Sequence, residues 1–222
     1  MSFVYVNPSV LRKGIFARFF RLRSKSRILF LDADGVLWPD QGAGTILKSP
    51  EISDAAIELI SKFRQRHKGK VAIITNQTAA ARGLISLSDL KEFLHEFFHN
   101  INSLVSISVV CACLHHPTAS ELSLRTDCMC RKPKPGGILE VFRLLSGNPR
   151  DSFLVGDRIS DILASNESGI PNSFLLFSEK MFTQNVTQNE SSFAHARSTI
   201  FLPVSTLVEV EIEIAKIVRS SQ

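Results

Sequence analysis

Short apolar runs alternate with amphipathic stretches along most of the chain, and several of the runs end at small or polar residues. Ile28-Leu29-Phe30-Leu31 has no polar position, the pattern of a strand buried on both faces of a parallel sheet, and it ends in Asp32-Ala33-Asp34-Gly35. Ser49-Pro50 supplies a helix N-cap and a proline at the first helical position. Ile52, Ala56, Leu59, Ile60 and Phe63 then recur at helical spacing and predict one apolar face. Gly69 breaks this pattern, and Val71-Ala72-Ile73-Ile74 reads as a second strand that delivers Thr75-Asn76-Gln77.

The same alternation continues. Leu90, Phe93, Leu94, Phe97, Phe98 and Ile101 predict a second helix after a Ser88-Asp89 start, and Val105 to Val110 a third strand. Residues 136–145 read as a helix, Phe153-Leu154-Val155 as a fourth strand ending in Gly156-Asp157, and residues 159–168 as a short helix. Ser173 to Phe177 form a fifth predicted strand. Residues 178–198 are polar and read as a loop or partly helical insert, and Ile200-Phe201-Leu202 with a helix over 205–218 closes the chain. Strands alternating with helices predict an α/β fold, a doubly wound, mostly parallel sheet with helices on both faces. Ligands of such sheets sit at the carboxyl ends of strands, where Asp32/Asp34, Thr75/Asn76 and Asp157 all fall.

Composition narrows the class. With 222 residues, 44% hydrophobic and 21% charged, the chain is long and apolar enough for one ordinary domain with an arm, which excludes wholesale disorder. No apolar run approaches the roughly 20 residues of a membrane span. The formal charge of +5 is unevenly sourced: residues 1–27 carry seven cations (Arg12, Lys13, Arg18, Arg21, Arg23, Lys25, Arg27) and no acid. The remaining 19 Lys and Arg face 21 Asp and Glu, so residues 28–222 carry a net −2. The expected division is a basic N-terminal arm, 1–27, and a folded domain, 28–222. Three readings of the arm stay open: a membrane-surface helix, an organelle-targeting presequence or a plain solvated extension.

The cysteines are as uneven as the charge. Cys111, Cys113, Cys128 and Cys130 fall within twenty residues, with His115 and His116 between the two halves. A disulfide framework would tie distant segments together, whereas this cluster reads as a metal site in a reducing compartment. Cys113, His115, Cys128 and Cys130 form a closed tetrahedral zinc set with no open position, hence a structural clip on a long loop. Cys111 is expected to point back into the sheet, and His116 to be a substitute or supporting group. The alternative is four thiols without metal.

At the strand ends, Asp32 and Asp34 are two apart beside a turn-permitting Gly35, and Asp157 offers a third oxygen donor. Such a set invites a hard divalent cation such as Mg²⁺, while Thr75 brings a hydroxyl and Lys132 a fixed charge. That combination suits phosphoryl transfer, in which a carboxylate can also act as the nucleophile.

These residues carry a resemblance. Phe30-Leu31-Asp32-Ala33-Asp34-Gly35-Val36-Leu37, Ile74-Thr75-Asn76-Gln77, Arg131-Lys132-Pro133 and Val155-Gly156-Asp157-Arg158-Ile159-Ser160-Asp161 resemble, in order, the four motifs of the haloacid dehalogenase (HAD) superfamily of phosphatases. The resemblance implies a HAD-like Rossmannoid fold with a minimal cap, Asp32 as nucleophile and Asp34 as general acid and base. It further implies Thr75 and Lys132 on the phosphoryl group, Asp32, Asp34 and Asp157 as Mg²⁺ ligands, and Asp161 as a supporting acid. The run from Cys113-Leu114-His115-His116-Pro117 to Cys128-Met129-Cys130-Arg131-Lys132-Pro133 is similar to that of the D-glycero-D-manno-heptose 1,7-bisphosphate phosphatases. Histidinol-phosphate phosphatases share a shorter version. By this likeness Asn76, Arg82 and Arg131 are substrate-binding residues, the two arginines offering planar forks to a second phosphate.

The expected activity is hydrolysis of a phosphorylated sugar, with Mg²⁺ and Zn²⁺ as cofactors, in the cytoplasm, by a monomer. Histidinol-phosphate hydrolysis is the alternative substrate reading. A nucleic-acid 3′-phosphatase or a phosphate-binding zinc module using the basic arm is the alternative in kind, although the slightly acidic body argues against a nucleic-acid partner. This chain departs from the family at Ala33, where an arginine is usual, at Val36-Leu37-Trp38-Pro39 and at Ala79-Ala80.

Overall fold

The computed structural model describes residues 2–6, 26–39, 51–176 and 201–220. Seven strands, β1 (Ser2–Val6), β2 (Ile28–Leu31), β3 (Lys70–Asn76), β4 (Val109–Cys113), β5 (Phe153–Gly156), β6 (Asn172–Leu176) and β7 (Phe201–Val204), form one sheet in the order β1-β4-β3-β2-β5-β6-β7. The last six in that order are parallel, and β1 is an antiparallel edge on β4, with Ser2 opposite Cys113 and Val6 opposite Val109. Among the described residues, five α-helices accompany them: α1 (Asp54–His67), α2 (Leu87–Leu104), α3 (Gly136–Leu145), α4 (Ile159–Glu167) and α5 (Leu207–Ser220).

The two-residue period of the strands sorts the core into two layers. Leu29, Leu31, Val71, Ile73, Val110, Phe153, Val155 and Phe174 pack under α1, α2 and α5, against Leu59, Phe63, Phe97, Ile101, Val210 and Ile214. Ile28, Phe30, Ala72, Ile74, Val109, Cys111 and Leu154 pack under α3 and α4, with Ile138, Val141, Phe142 and Ala164. Phe30 meets Phe142 edge-on at 5.0 Å. This is the doubly wound sheet that the alternation predicts.

Several boundaries differ from the sequence reading. Ser53 caps α1, its hydroxyl accepting the Ala56 N–H at 3.2 Å; Ser49 and Pro50 lie outside the described residues. Helix α2 starts after Ser86 and runs through Leu104, because the Val105 N–H still closes on Ile101. Asn102 then takes the Ile107 N–H with its side chain, so β4 begins at Val109 rather than Val105. Residues 2–6, assigned to the arm on charge, lie on the sheet edge. The arm's six cations before Ser26 and the polar 178–198 segment fall outside the described residues. Among the described residues, no helix is long and apolar enough to cross a membrane.

Candidate active site

Asp32 follows the last residue of β2, and its N–H donates to Val155 O on β5 at 3.0 Å, fixing the strand end across the sheet. The chain then turns back on itself, with the Gly35 N–H donating to Trp38 O and the Leu37 N–H to Ala33 O. Gly35 has φ +79°, and a Cβ there would stand 2.2 Å from Asp157 Oδ2. Only a glycine lets the turn after Asp32 lie directly on the Asp157 carboxylate.

Lys132 is buried with its Nζ 2.7 Å from Asp32 Oδ1 and 2.6 Å from Asp161 Oδ1, and it donates to Ile74 O at 3.0 Å. Burial opposes its charge, but Asp161 and Asp32 outweigh that and hold its pKa above the ordinary range. Asp161 also accepts the Arg158 N–H at the start of α4, at 3.0 Å. Carboxylate oxygens of Asp32, Asp157 and Asp161 lie within 4.8 Å of one another. Three buried acids thus face one buried base.

Neither oxygen of Asp157 accepts a hydrogen bond, and the Arg158 guanidinium comes no closer than 3.8 Å to Oδ2. Burial raises Asp32 from 3.8 to about 7 despite Lys132. Burial, with repulsion from Asp161 and Asp32, raises Asp157 to about 8. A buried carboxylate without donors is costly unless a cation meets it. The two uncompensated negative charges and the unpartnered oxygens fit a divalent, oxygen-seeking metal ion.

Asp34 is engaged differently from the expectation. Its Oδ1 accepts the Trp38 indole N–H at 2.9 Å, and its Oδ2 accepts from Gln77 Nε2 at 3.0 Å. The side-chain acid beside Asp32 and Asp157 is therefore Asp161, not Asp34. Gln77 also donates to Thr75 Oγ1 at 3.0 Å, joining the hydroxyl at the end of β3 to Asp34. Asn76, expected to touch substrate, has both ends of its amide on the main chain of Lys132.

The second cluster closes on itself. Cys113, Cys128 and Cys130 have sulfur separations of 3.2–3.4 Å, and His115 Nδ1 lies 3.8 Å from Cys113 and 3.5 Å from Cys130. A tetrahedron with zinc-type bond lengths has edges of roughly 3.5–3.8 Å, so the His115 distances match and the sulfurs would need to spread by only a few tenths of an ångström. Hydrogen bonding to Cys130 and burial hold the Cys113 thiol above its ordinary range, a cost that a metal cation among the four donors would offset. Cys111 lies instead in the core beneath α3, where burial pushes it up to about 12. His116 is not one of the four donors; its Nδ1 accepts from Thr118 N–H and Oγ1–H.

The loop is pinned at its end. The Gly136 N–H donates to Met129 O at 2.9 Å, and a Cβ on Gly136 would come within 2.5 Å of that oxygen. Arg131, next to Cys130 in this pinned turn, is half-buried and reaches His115 O at 3.4 Å. Burial first, and then the like charges of Arg82 and Arg158, lower its pKa against the opposing sulfurs. Burial, Arg131 and Arg82 likewise lower His116. Arg82 is exposed and Arg131 half-buried, and the charge of each bears on His116. Gln77 and Trp38 join the site through side-chain directions that residue spacing does not reveal.

Comparison with known proteins agrees with this geometry. The HAD-hydrolase-like family model matches residues 129–178. D-glycero-beta-D-manno-heptose-1,7-bisphosphate 7-phosphatase from Pasteurella multocida is 30% identical, over 72% of this chain and 86% of its own length. D-glycero-alpha-D-manno-heptose-1,7-bisphosphate 7-phosphatase from Photorhabdus laumondii is 34% identical, over 69% and 84%. The crystal structure of D,D-heptose 1,7-bisphosphate phosphatase from B. bronchiseptica, complexed with magnesium and phosphate, superposes with a TM-score of 0.66 at 19% identity, over 86% of this chain and 98% of that one. The chain belongs to the HAD-like phosphatase family that contains the heptose-1,7-bisphosphate 7-phosphatases.

Proposed function

We propose that the protein removes one phosphate from a sugar bisphosphate, D-glycero-D-manno-heptose 1,7-bisphosphate by the likeness to its relatives, through an aspartyl-phosphate on Asp32. The observation that carries this is the buried Asp32 carboxylate held by Lys132 Nζ at 2.7 Å, beside an Asp157 whose oxygens have no hydrogen-bond donor. Magnesium held by Asp32 and Asp157 would neutralise charge on the phosphoryl oxygens.

Asp32 attacks phosphorus, the ester P–O bond breaks, and protonated Asp34 gives its proton to the departing sugar oxygen. Asp34 then takes a proton from water, which attacks the same phosphorus. The acyl-phosphate O–P bond breaks, returning free Asp32 and inorganic phosphate. Lys132 balances the growing negative charge, and Thr75 holds a phosphoryl oxygen. Arg82 and Arg131 receive the second phosphate. Cys113, His115, Cys128 and Cys130 hold a zinc ion that fixes the loop carrying Arg131 and Lys132.

The test is phosphate release, with Mg²⁺, from both anomers of heptose 1,7-bisphosphate, histidinol phosphate and a 3′-phosphorylated oligonucleotide. The heptose bisphosphate should be turned over fastest, and Asp32→Asn should abolish release. Preference for another substrate in that panel sinks the sugar assignment, and full turnover by Asp32→Asn sinks the nucleophile.

A further inference from the structure

The turn that carries the nucleophile ends in the chain's one tryptophan, and that residue is built into the site rather than merely covering it. The Trp38 indole is buried and packs edge-on against Phe97 of α2, with ring centroids 5.0 Å apart and planes at 81°. Its main-chain oxygen accepts the Gly35 N–H at 2.8 Å, so ring and backbone are both fixed. From that position Nε1–H donates to Asp34 Oδ1 at 2.9 Å, while Gln77, anchored through its own N–H to Cys113 O at 2.8 Å, donates to Oδ2 at 3.0 Å.

A carboxyl group on a single sp³–sp² torsion has a broad rotational preference, so its plane must be set from outside. Two donors on opposite oxygens set it. An indole N–H donates and never accepts, and the side-chain NH₂ of Gln77 is likewise a pure donor. Neither group can take the proton that Asp34 exchanges; each occupies one lone pair and leaves the others to the reaction.

We infer that Trp38 is a positioning residue for the acid step, holding the Asp34 carboxyl in the plane from which it protonates the leaving oxygen, with Gln77, just past the end of β3, as its counterpart. This rests on the phosphatase reading above. The competing explanation is a core tryptophan whose N–H has found the nearest acceptor. The two differ in what they predict for leaving groups. A sugar alkoxide needs the proton of Asp34 in order to depart, whereas p-nitrophenolate leaves without it.

Trp38→Phe keeps the ring against Phe97 and removes only the donor. Its kcat/KM, which covers every step through ester cleavage, should fall about tenfold or more for the sugar phosphate yet stay within about twofold for p-nitrophenyl phosphate. An equal fall for both esters, or no fall for the sugar phosphate, overturns the inference. Wild-type protein that cleaves neither ester overturns the phosphatase reading itself, and the inference with it. Should Trp38→Phe fail to fold, NMR of the wild type against Asp34→Ala still tests the pairing on which the inference stands. The wild type has a single indole N–H resonance, which should move upfield in Asp34→Ala; a resonance that stays put overturns the pairing.

Discussion

Asn76 and Lys132, 56 residues apart in sequence, are clasped by two hydrogen bonds of 3.1 Å: Asn76 Nδ2 donates to Lys132 O, and Lys132 N–H donates to Asn76 Oδ1. The amide thus aligns the main chain of the residue whose ammonium balances Asp32. Asn76→Ala should lower kcat by about ten- to a hundredfold through misplacement of that ammonium. It should also cost about 1–3 kcal/mol of stability by leaving main-chain groups unpaired. Steady-state kinetics and the denaturation midpoint read the two effects, and an unchanged kcat would return Asn76 to a purely structural place.

Gly35 separates the turn after Asp32 from Asp157 by less than the width of a methyl group. Gly35→Ala adds an unfavourable left-handed conformation, about 1–3 kcal/mol, and drives the new carbon into the carboxylate. The expected outcome is loss of the rise in Tm produced by Mg²⁺, together with loss of activity. A variant that keeps the full Mg²⁺-dependent rise would show that the turn can retreat without disturbing Asp157.

The sulfur cluster and the lysine paired with Asp32 are two residues apart, Cys130 and Lys132, in a turn pinned by Gly136. Elemental analysis should find about one zinc ion per chain, lost in Cys128→Ser. That variant should have a lower Tm and a reduced kcat, because Arg131 and Lys132 lose their anchor. Activity that survives complete zinc removal would separate the clip from catalysis.

The acids of the site predict a pH dependence. Without a divalent ion, Asp32 and Asp157 hold protons in the folded protein up to about 7 and about 8, whereas the unfolded chain releases them near 3.8. Between these limits the folded state binds more protons than the unfolded one, so metal-free stability falls as pH rises from about 4 to about 8. Mg²⁺ competes with those protons, so its stabilisation should grow over the upper part of this window and level off above it. Tm measured with and without Mg²⁺ from pH 5 to 9 follows both trends; a Mg²⁺ increment that does not change with pH would contradict the assignment of Asp32 and Asp157 as its ligands.

Much of this was legible in the sequence because the physics is periodic or local. Unbroken apolar runs such as Ile28–Leu31 mark buried parallel strands, and acids at their ends mark the catalytic edge. The Cys113/His115/Cys128/Cys130 set was legible because four soft donors in so short a span have few other uses. Side-chain direction at a strand end was not. Asn76 and Gln77 are adjacent, yet one turns to Lys132 and the other to Asp34, and nothing in their spacing separates those fates. Asp34 likewise offers a cation the same donor atoms as Asp161, and only the fold shows which of them two neutral donors have already claimed. Residues 2–6 were misplaced because charge drew the boundary at 27, although Phe3-Val4-Tyr5-Val6 has the aromatic and β-branched composition of a strand.

That strand bears on how the protein can be handled. β4 supplies Cys113 and lies between β3 and β1, so β1 occupies hydrogen-bonding groups that would otherwise be an open ladder. A truncation that begins after the basic segment removes a cover as well as a charge, leaving a bare, wholly buried-type strand ready to pair with another chain. Loss of function in such a truncation would report self-association as readily as a missing partner, and trimming that spares residues 2–6 is the cleaner way to ask what the cations do.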